Sequence, residues 1–225
     1  TGEGSLNQKT MSVVDLKINL EYCAITFEAN YLAHDLKSKD AGIPTSYGQF
    51  VLDQISEKIA SDLEYTIFRG DSATSSYPYN IADGFVKQML ADSAIIDVSA
   101  TASLTSANVI AELDRVLEAV PSQVRDKPNF KIFISQSIAF AYKQKQAATT
   151  GGLFMVGDKE LNYLGYTLVA TSGLGAKQMI AANMDNMFFL TDMISDYSDI
   201  LVIPQRKISG ARTERFVGNL KFGVN

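Results

Sequence analysis

Few residues in this chain have the type and spacing that chemistry needs. His34 is the only histidine and Cys23 the only cysteine. A histidine triad or a His-rich metal site can therefore draw on one member only. Eleven residues separate Cys23 from His34, with none of the local signatures that accompany a cysteine nucleophile. Cys23 sits on the apolar parity of a strand pattern and reads as a small core residue. His34 reads as a surface or capping residue. Asp192, Asp196 and Asp199 lack the D-x-D-x-D-G order and closing Glu of a calcium loop, and read as an acidic surface bend. Gly151, Gly152 and Gly157 are followed by no Lys-Ser/Thr pair, as a phosphate loop requires. Lys143 and Lys145 are two charges on one helix rather than a basic patch. Glu57 and Glu64 fall on a solvated helix face, which is no basis for a glycosidase pair. The reading is no catalytic residue, no cofactor-binding residue and no metal ligand, hence no cofactor and no enzyme.

Composition narrows the class further. The 225 residues carry a formal net charge of −5 and are 46% apolar and 20% charged. That is globular composition, with chain enough for a core that needs no disulfide. The acidic balance argues against a domain that grips nucleic acid, which needs a basic face to displace counterions. A single cysteine suits a reducing cytosol. No run of 18 apolar residues and no basic-then-apolar start is present, so the expectation is a soluble protein without a standard export signal.

The element that must organise the rest is PTSYGQFVLDQISEKIASDLEYTIFRG, residues 44–70. Ser46 and Gln49 form an S-x-x-Q capping box, and Pro44 lies just upstream. Leu52, Ile55, Ile59, Leu63 and Ile67 recur at spacings of three and four, while Asp53, Glu57, Lys58, Asp62 and Glu64 fall mostly elsewhere on the wheel. Gly70 can take the left-handed conformation that ends helices, with Arg69 in the last turn. The spacing predicts one helix over about 46–69, roughly 35 Å long.

Around it, residues 12–29 alternate as a strand, with a parity slip that suggests a bulge near Glu21–Tyr22 or a break between two strands. Glu28–Leu36 suggests a short helix. Asn80 should cap a helix burying Phe85, Val86, Met89 and Leu90. Residues 92–105 read as strand or loop. Val109, Ile110, Leu113, Val116, Leu117 and Val120 stripe a helix over about 106–120, stopped by Pro121. PSQVRDKPN reads as a loop, FKIFI (130–134) as a buried strand, and Ser135 as the start of a helix with Ile138 and Tyr142 inside. AATTGG (147–152) reads as a flexible loop. Strands follow at Leu164–Ala170, Gln178–Ala182, Met187–Thr191, Ile200–Ile203 and Arg212–Val224. Helices and strands mix without regular alternation, which favours the α+β class.

Four stretches in order carry a resemblance. KIASDLEYTIFRGD followed by NIADGF, NVIAELDRVLEAV followed by FKIFISQSIAFAYKQ, GGLFMVGDKELNYLGYTLVAT, and AANMDNMFFLTDM together span about residues 45–225. They resemble the major capsid proteins of tailed bacteriophages, the HK-ninety-seven-type capsid fold. The resemblance implies a peripheral domain of 1–70 plus 193–225 built on the spine helix, and an axial domain of 71–192. It implies a non-enzymatic subunit that self-assembles into pentamers and hexamers, enclosing double-stranded DNA without binding it specifically. Scaffold, portal or decoration proteins would be further partners, no membrane is involved, and the location would be the virion, assembled in the host cytoplasm. No lysine can be given the crosslinking role that some members have. Only about 11 residues precede the first strand candidate, where the family has an arm and a hairpin loop. The 225 residues are therefore expected to form a monomer or small oligomer by themselves. An encapsulin-like compartment shell is the alternative within the fold, and a small cytosolic hydrolase the alternative outside it.

Overall fold

The computed structural model describes residues 11, 13–23, 30–32, 47–100, 103–150, 161–191, 201–205, 208, 210 and 213–225. The chain divides into two compact units, one of residues 1–63 with 190–223 and one of 64–189 with 224–225. Helices and strands are mixed, as an α+β reading requires. Among the described residues no helix is long and apolar enough to cross a membrane.

The second unit is built on a four-stranded sheet. Its strands are β2 (Phe130–Ser135), β3 (Leu161–Tyr163), β4 (Tyr166–Thr171) and β5 (Met179–Asn183), in the order β3-β4-β2-β5. β2 runs parallel to β4 and antiparallel to β5, and β3 is antiparallel to β4. As a central strand β2 is covered on both faces, which is why its sequence is a near-continuous apolar run. One face carries Phe130, Ile132, Ile134 and Leu168. It packs on Val109, Leu113 and Leu117 of α3 (Val109–Ala119) and on Ile138, Ala141 and Tyr142 of α5 (Gln136–Thr150). The alternate residues, Phe133, Val169 and Ile180, pack on the opposite side with Phe68 and with Phe85 of α2 (Phe85–Ala91). Strand alternation thus sorts one sheet into two apolar layers with helices on both faces. The Tyr163 hydroxyl donates to Asp114 at 2.7 Å, and burial first, then this bond, pushes its pKa up.

The other unit holds β1 (Val14–Cys23), β7 (Leu201–Pro204) and most of β8 (Thr213–Val224), with β6 (Phe189–Thr191) at the unit boundary. β8 is the central strand, with β1 along one edge and β6 and β7 sharing the other. The β1–β8 register is unbroken from Val14↔Phe222 to Cys23↔Thr213. The expected bulge near Glu21–Tyr22 is therefore absent: strand pairing overrides the parity of the side chains. Phe216 of β8 packs with Phe50, Val51 and Ile55 of the long helix α1 (Tyr47–Arg69).

α1, of 23 residues, matches the helix expected over about 46–69, but its buried stripe differs. Phe50, Val51, Ile55, Asp62, Thr66 and Phe68 are buried, whereas Leu52, Ile59, Leu63 and Ile67 are half-buried. Asp62, assigned to the wet side of the wheel, is 6% exposed and accepts from Lys58 Nζ at 2.7 Å. Gln49 donates to Asp53 Oδ1 at 2.8 Å, while Ser46 lies outside the described residues.

Other expectations need correcting. Asn80 does not cap α2; Gly84 holds that position, and Leu90 is exposed rather than buried. PSQVRDKPN contains a one-turn helix, α4 (Ser122–Arg125), started by Pro121. α5 runs through Ala147–Thr150, which had read as loop. The strand expected from Leu164 starts at Tyr166 instead. Leu164 and Gly165, with φ of 49° and 86°, turn a tight hairpin onto β3, which the sequence reading missed. Residues 92–100 and 103–105 form no strand. The helix expected at Glu28–Leu36 is described only at residues 30–32, which are helical.

Candidate functional site

Among the described residues, the side chains singled out for chemistry do not converge. Cys23 ends β1 opposite Thr213 and is exposed, so the core reading is wrong: β1's apolar parity is not covered as deeply as its pattern implies. His34, Gly151, Gly152, Gly157, Asp192, Asp196 and Asp199 lie outside the described residues. Lys143 and Lys145 lie on α5 and Glu57 is exposed on α1. Among the described residues no group of three His, Cys, Asp or Glu could hold a metal ion.

Convergence occurs instead at the C-terminal end of α1, where the polar groups serve architecture. Glu64, assigned to a solvated face, reaches the loop after β4. Its Oε1 accepts from the Thr171 hydroxyl, from Ser172 N at 2.8 Å and from Gly173 N at 3.1 Å. Two residues on, Thr66 is fully buried and its hydroxyl donates to Pro78 O at 2.8 Å. Arg69 donates from Nε to Gly173 O at 2.8 Å. Its guanidinium carbon lies 5.3 Å from the Tyr65 ring centre and 5.0 Å from that of Tyr79. Such stacking suits a planar, weakly hydrated cation better than an ammonium.

Gly70 ends the helix, but not by turning left-handed. Among the described glycines only Gly165 and Gly210 have positive φ. Gly70 is required for space. A Cβ there would stand 2.1 Å from Ala82 O and 2.5 Å from Thr66 O. Gly84 is its counterpart, since a Cβ there would stand 2.6 Å from both Gly70 N and Thr66 O. The two backbones touch directly, with Gly84 N donating to Gly70 O at 2.9 Å. Residues 71–83 therefore form a loop whose two ends are fastened together.

A charged clasp flanks this contact. Lys87 Nζ donates to Asp71 and Asp83, both at 2.7 Å, and Asp83 also accepts from Ser72 N at 2.8 Å. The Lys87 bond, then the Ser72 amide, hold the Asp83 pKa down to about 2. The same lysine lowers Asp71, and the two carboxylates together raise Lys87. The paired motifs R-G-D and A-D-G-F carried this signal: each sets a glycine beside an aspartate, and Asp83 and Lys87 are spaced as helix neighbours.

These features define a mixed α+β chain with a long helix, a three-layer unit and an assembly of polar groups that hold backbone in place. The fold is of the phage-capsid type. The chain is similar to a chain of the satellite phage P4 procapsid including the size determination (Sid) protein, with a TM-score of 0.56 and 11% identity; the match covers 98% of this chain and 73% of that one. It is also similar to chains in the capsids of the native and the empty GTA particle, each with a TM-score of 0.52 and 12% identity. Those matches cover 97% and 99% of this chain and 70% and 76% of the others. No protein-family model matches the chain, and no curated protein sequence does.

Proposed function

We propose that this protein is the structural subunit of an icosahedral, phage-type shell. Copies of it form pentamers and hexamers that close around double-stranded DNA, and its role is architectural, not catalytic. The observation that carries the reading is the extent of the likeness: 98% of the chain follows a procapsid chain. The polar residues at the end of α1 fit it, since each is spent on holding loops and turns. In this reading residues 1–70 with 193–225 are the peripheral domain and 71–192 the axial domain. Scaffold, portal or decoration proteins are its further partners, the virion is its destination and the host cytoplasm its place of assembly.

Electron microscopy of the full-length gene product tests the proposal, with sedimentation velocity alongside. Uniform shells of megadalton mass that hold DNA are the expected result. Shells packed with protein cargo would make it a compartment protein. Monomers that turn over a substrate would overturn the structural role.

A further inference from the structure

Two exposed apolar spots lie on the 64–189 unit, one at and just after the end of α2 and the other on α5. The first follows α2. Leu90 is 70% exposed, Ile95 48% and Ile96 56%. They are not on a loose tail. Asp92 N donates to Met89 O and Ile95 N to Asp92 O, each at 3.2 Å, and Asp92 Oδ1 accepts from Ala94 N at 2.9 Å. Farther along, Ser99 O accepts from Arg115 Nη2 at 2.9 Å. Successive turns thus order the short segment that carries these three exposed side chains.

The second spot is Phe140, 64% exposed on α5. Ile138, Ala141 and Tyr142 face the core, so Phe140 stands on the outer side with Lys143 and Gln144. A helix that buries an aliphatic stripe and leaves a phenylalanine outside loses the hydrophobic gain of about 25 cal/mol for each Å² left wet.

The charges around the spots are opposite. Asp92 and Asp97 flank the first, and Lys143 stands beside Phe140 on the outer side of α5. None of the three has an ion-pair partner among the described residues. A contact of either spot with its own copy would set like charges together. A contact of one with the other pairs them, and because both spots are exposed within one chain the pairing is between copies. We propose that these spots are the two halves of one head-to-tail contact, with Phe140 of one copy seated among Leu90, Ile95 and Ile96 of the next. The inference rests on the shell-subunit reading and names the surfaces through which its copies meet. A heterologous contact of this kind closes into a ring when its rotation divides a full turn.

The test uses the whole chain with Cys23→Ser, so that introduced cysteines are alone. Phe140→Cys and Ile96→Cys are made separately and together, and oxidised mildly. The chain with both should give a ladder of disulfide-linked multimers. Each single variant should give no disulfide-linked species, and an equal mixture of the two should stop at disulfide-linked dimers. In that mixture, Lys143→Glu on one partner or Asp97→Lys on the other should cut the dimer yield about tenfold, and both reversals together should restore it to within about twofold. Single variants that dimerise alone as readily as the mixture overturn the head-to-tail geometry. A missing bond in a protein that forms shells by electron microscopy overturns the contact and leaves the shell reading standing, as does disulfide formation only to a different protein. Wild-type protein that never associates sinks both.

Discussion

β2 and β1 are each a strand in a four-stranded sheet, and they bury their apolar residues to opposite degrees. Every described side chain of β2 is buried except Lys131, which is half-buried. No described side chain of β1 is buried, and Val14 and Leu20 are 38% and 41% exposed. Yet β1 makes ten paired positions with β8, more than β2 makes with either neighbour. Backbone pairing and apolar burial are therefore separable. β2 is a central strand with helices on both faces, while β1 is an edge strand whose alternation specifies pairing without supplying a cover.

This contrast can be broken or sharpened by substitution. Ile134→Ala should be the costliest change, because the side chain is fully buried between β2's neighbours and the α3 and α5 layer. A loss of about 2–5 kcal/mol in urea unfolding is expected; a loss no larger than that of a surface change would mean the layer is loosely packed. Gly84→Ala should follow, at about 1–3 kcal/mol, because the new methyl meets backbone atoms that cannot swing aside. An unchanged unfolding midpoint would show that the Gly70–Gly84 contact yields freely.

The clasp should be felt through pH. Asp83 has a folded pKa held below that of the free side chain, so its contribution is present at neutral pH and is lost as pH falls from about 5 toward about 2. Asp83→Asn should therefore lose less thermal stability than wild type between pH 7 and pH 3, by about 1–3 °C, since the pair is exposed and screened. Equal losses would mean that Lys87 does not favour the ionised carboxylate. Smallest of all, Leu20→Ser on β1 should move stability by no more than about 0.5 kcal/mol. A penalty like that of Ile134→Ala would show that β1's face is covered within the single chain.

Sequence reading was strongest where one physical signal acted alone. α1, α3 and β2 were legible because a helical stripe or an apolar run marks an element buried by its own unit. It failed where backbone geometry decided. Leu164-Gly165-Tyr166 looked like the start of one strand, since the positive φ of Leu164 is invisible in a leucine. Asp62 and Glu64 looked solvated because a wheel sorts residues by type, whereas each has a specific partner. Gly70 was recognised as essential for the wrong reason: its role is contact with Gly84, 14 positions away, which no local pattern reveals. The α5 extension through Ala147–Thr150 was hidden by two threonines, whose weak helix propensity was overridden by the helix preceding them.

The fastened loop at residues 71–83 has a practical consequence. Its two ends are already held together by the Gly84–Gly70 hydrogen bond, and residues 72–77 between them are exposed. The entropy of closing such a loop grows only with the logarithm of its length, each doubling adding about 0.6 kcal/mol. Ser75–Ser76 is therefore a natural splice point for grafting a foreign peptide. Because the Gly84–Gly70 hydrogen bond and the anchors at Ser72, Pro78 and Tyr79 all lie to either side of this point, a graft there leaves the scaffold's own seam intact.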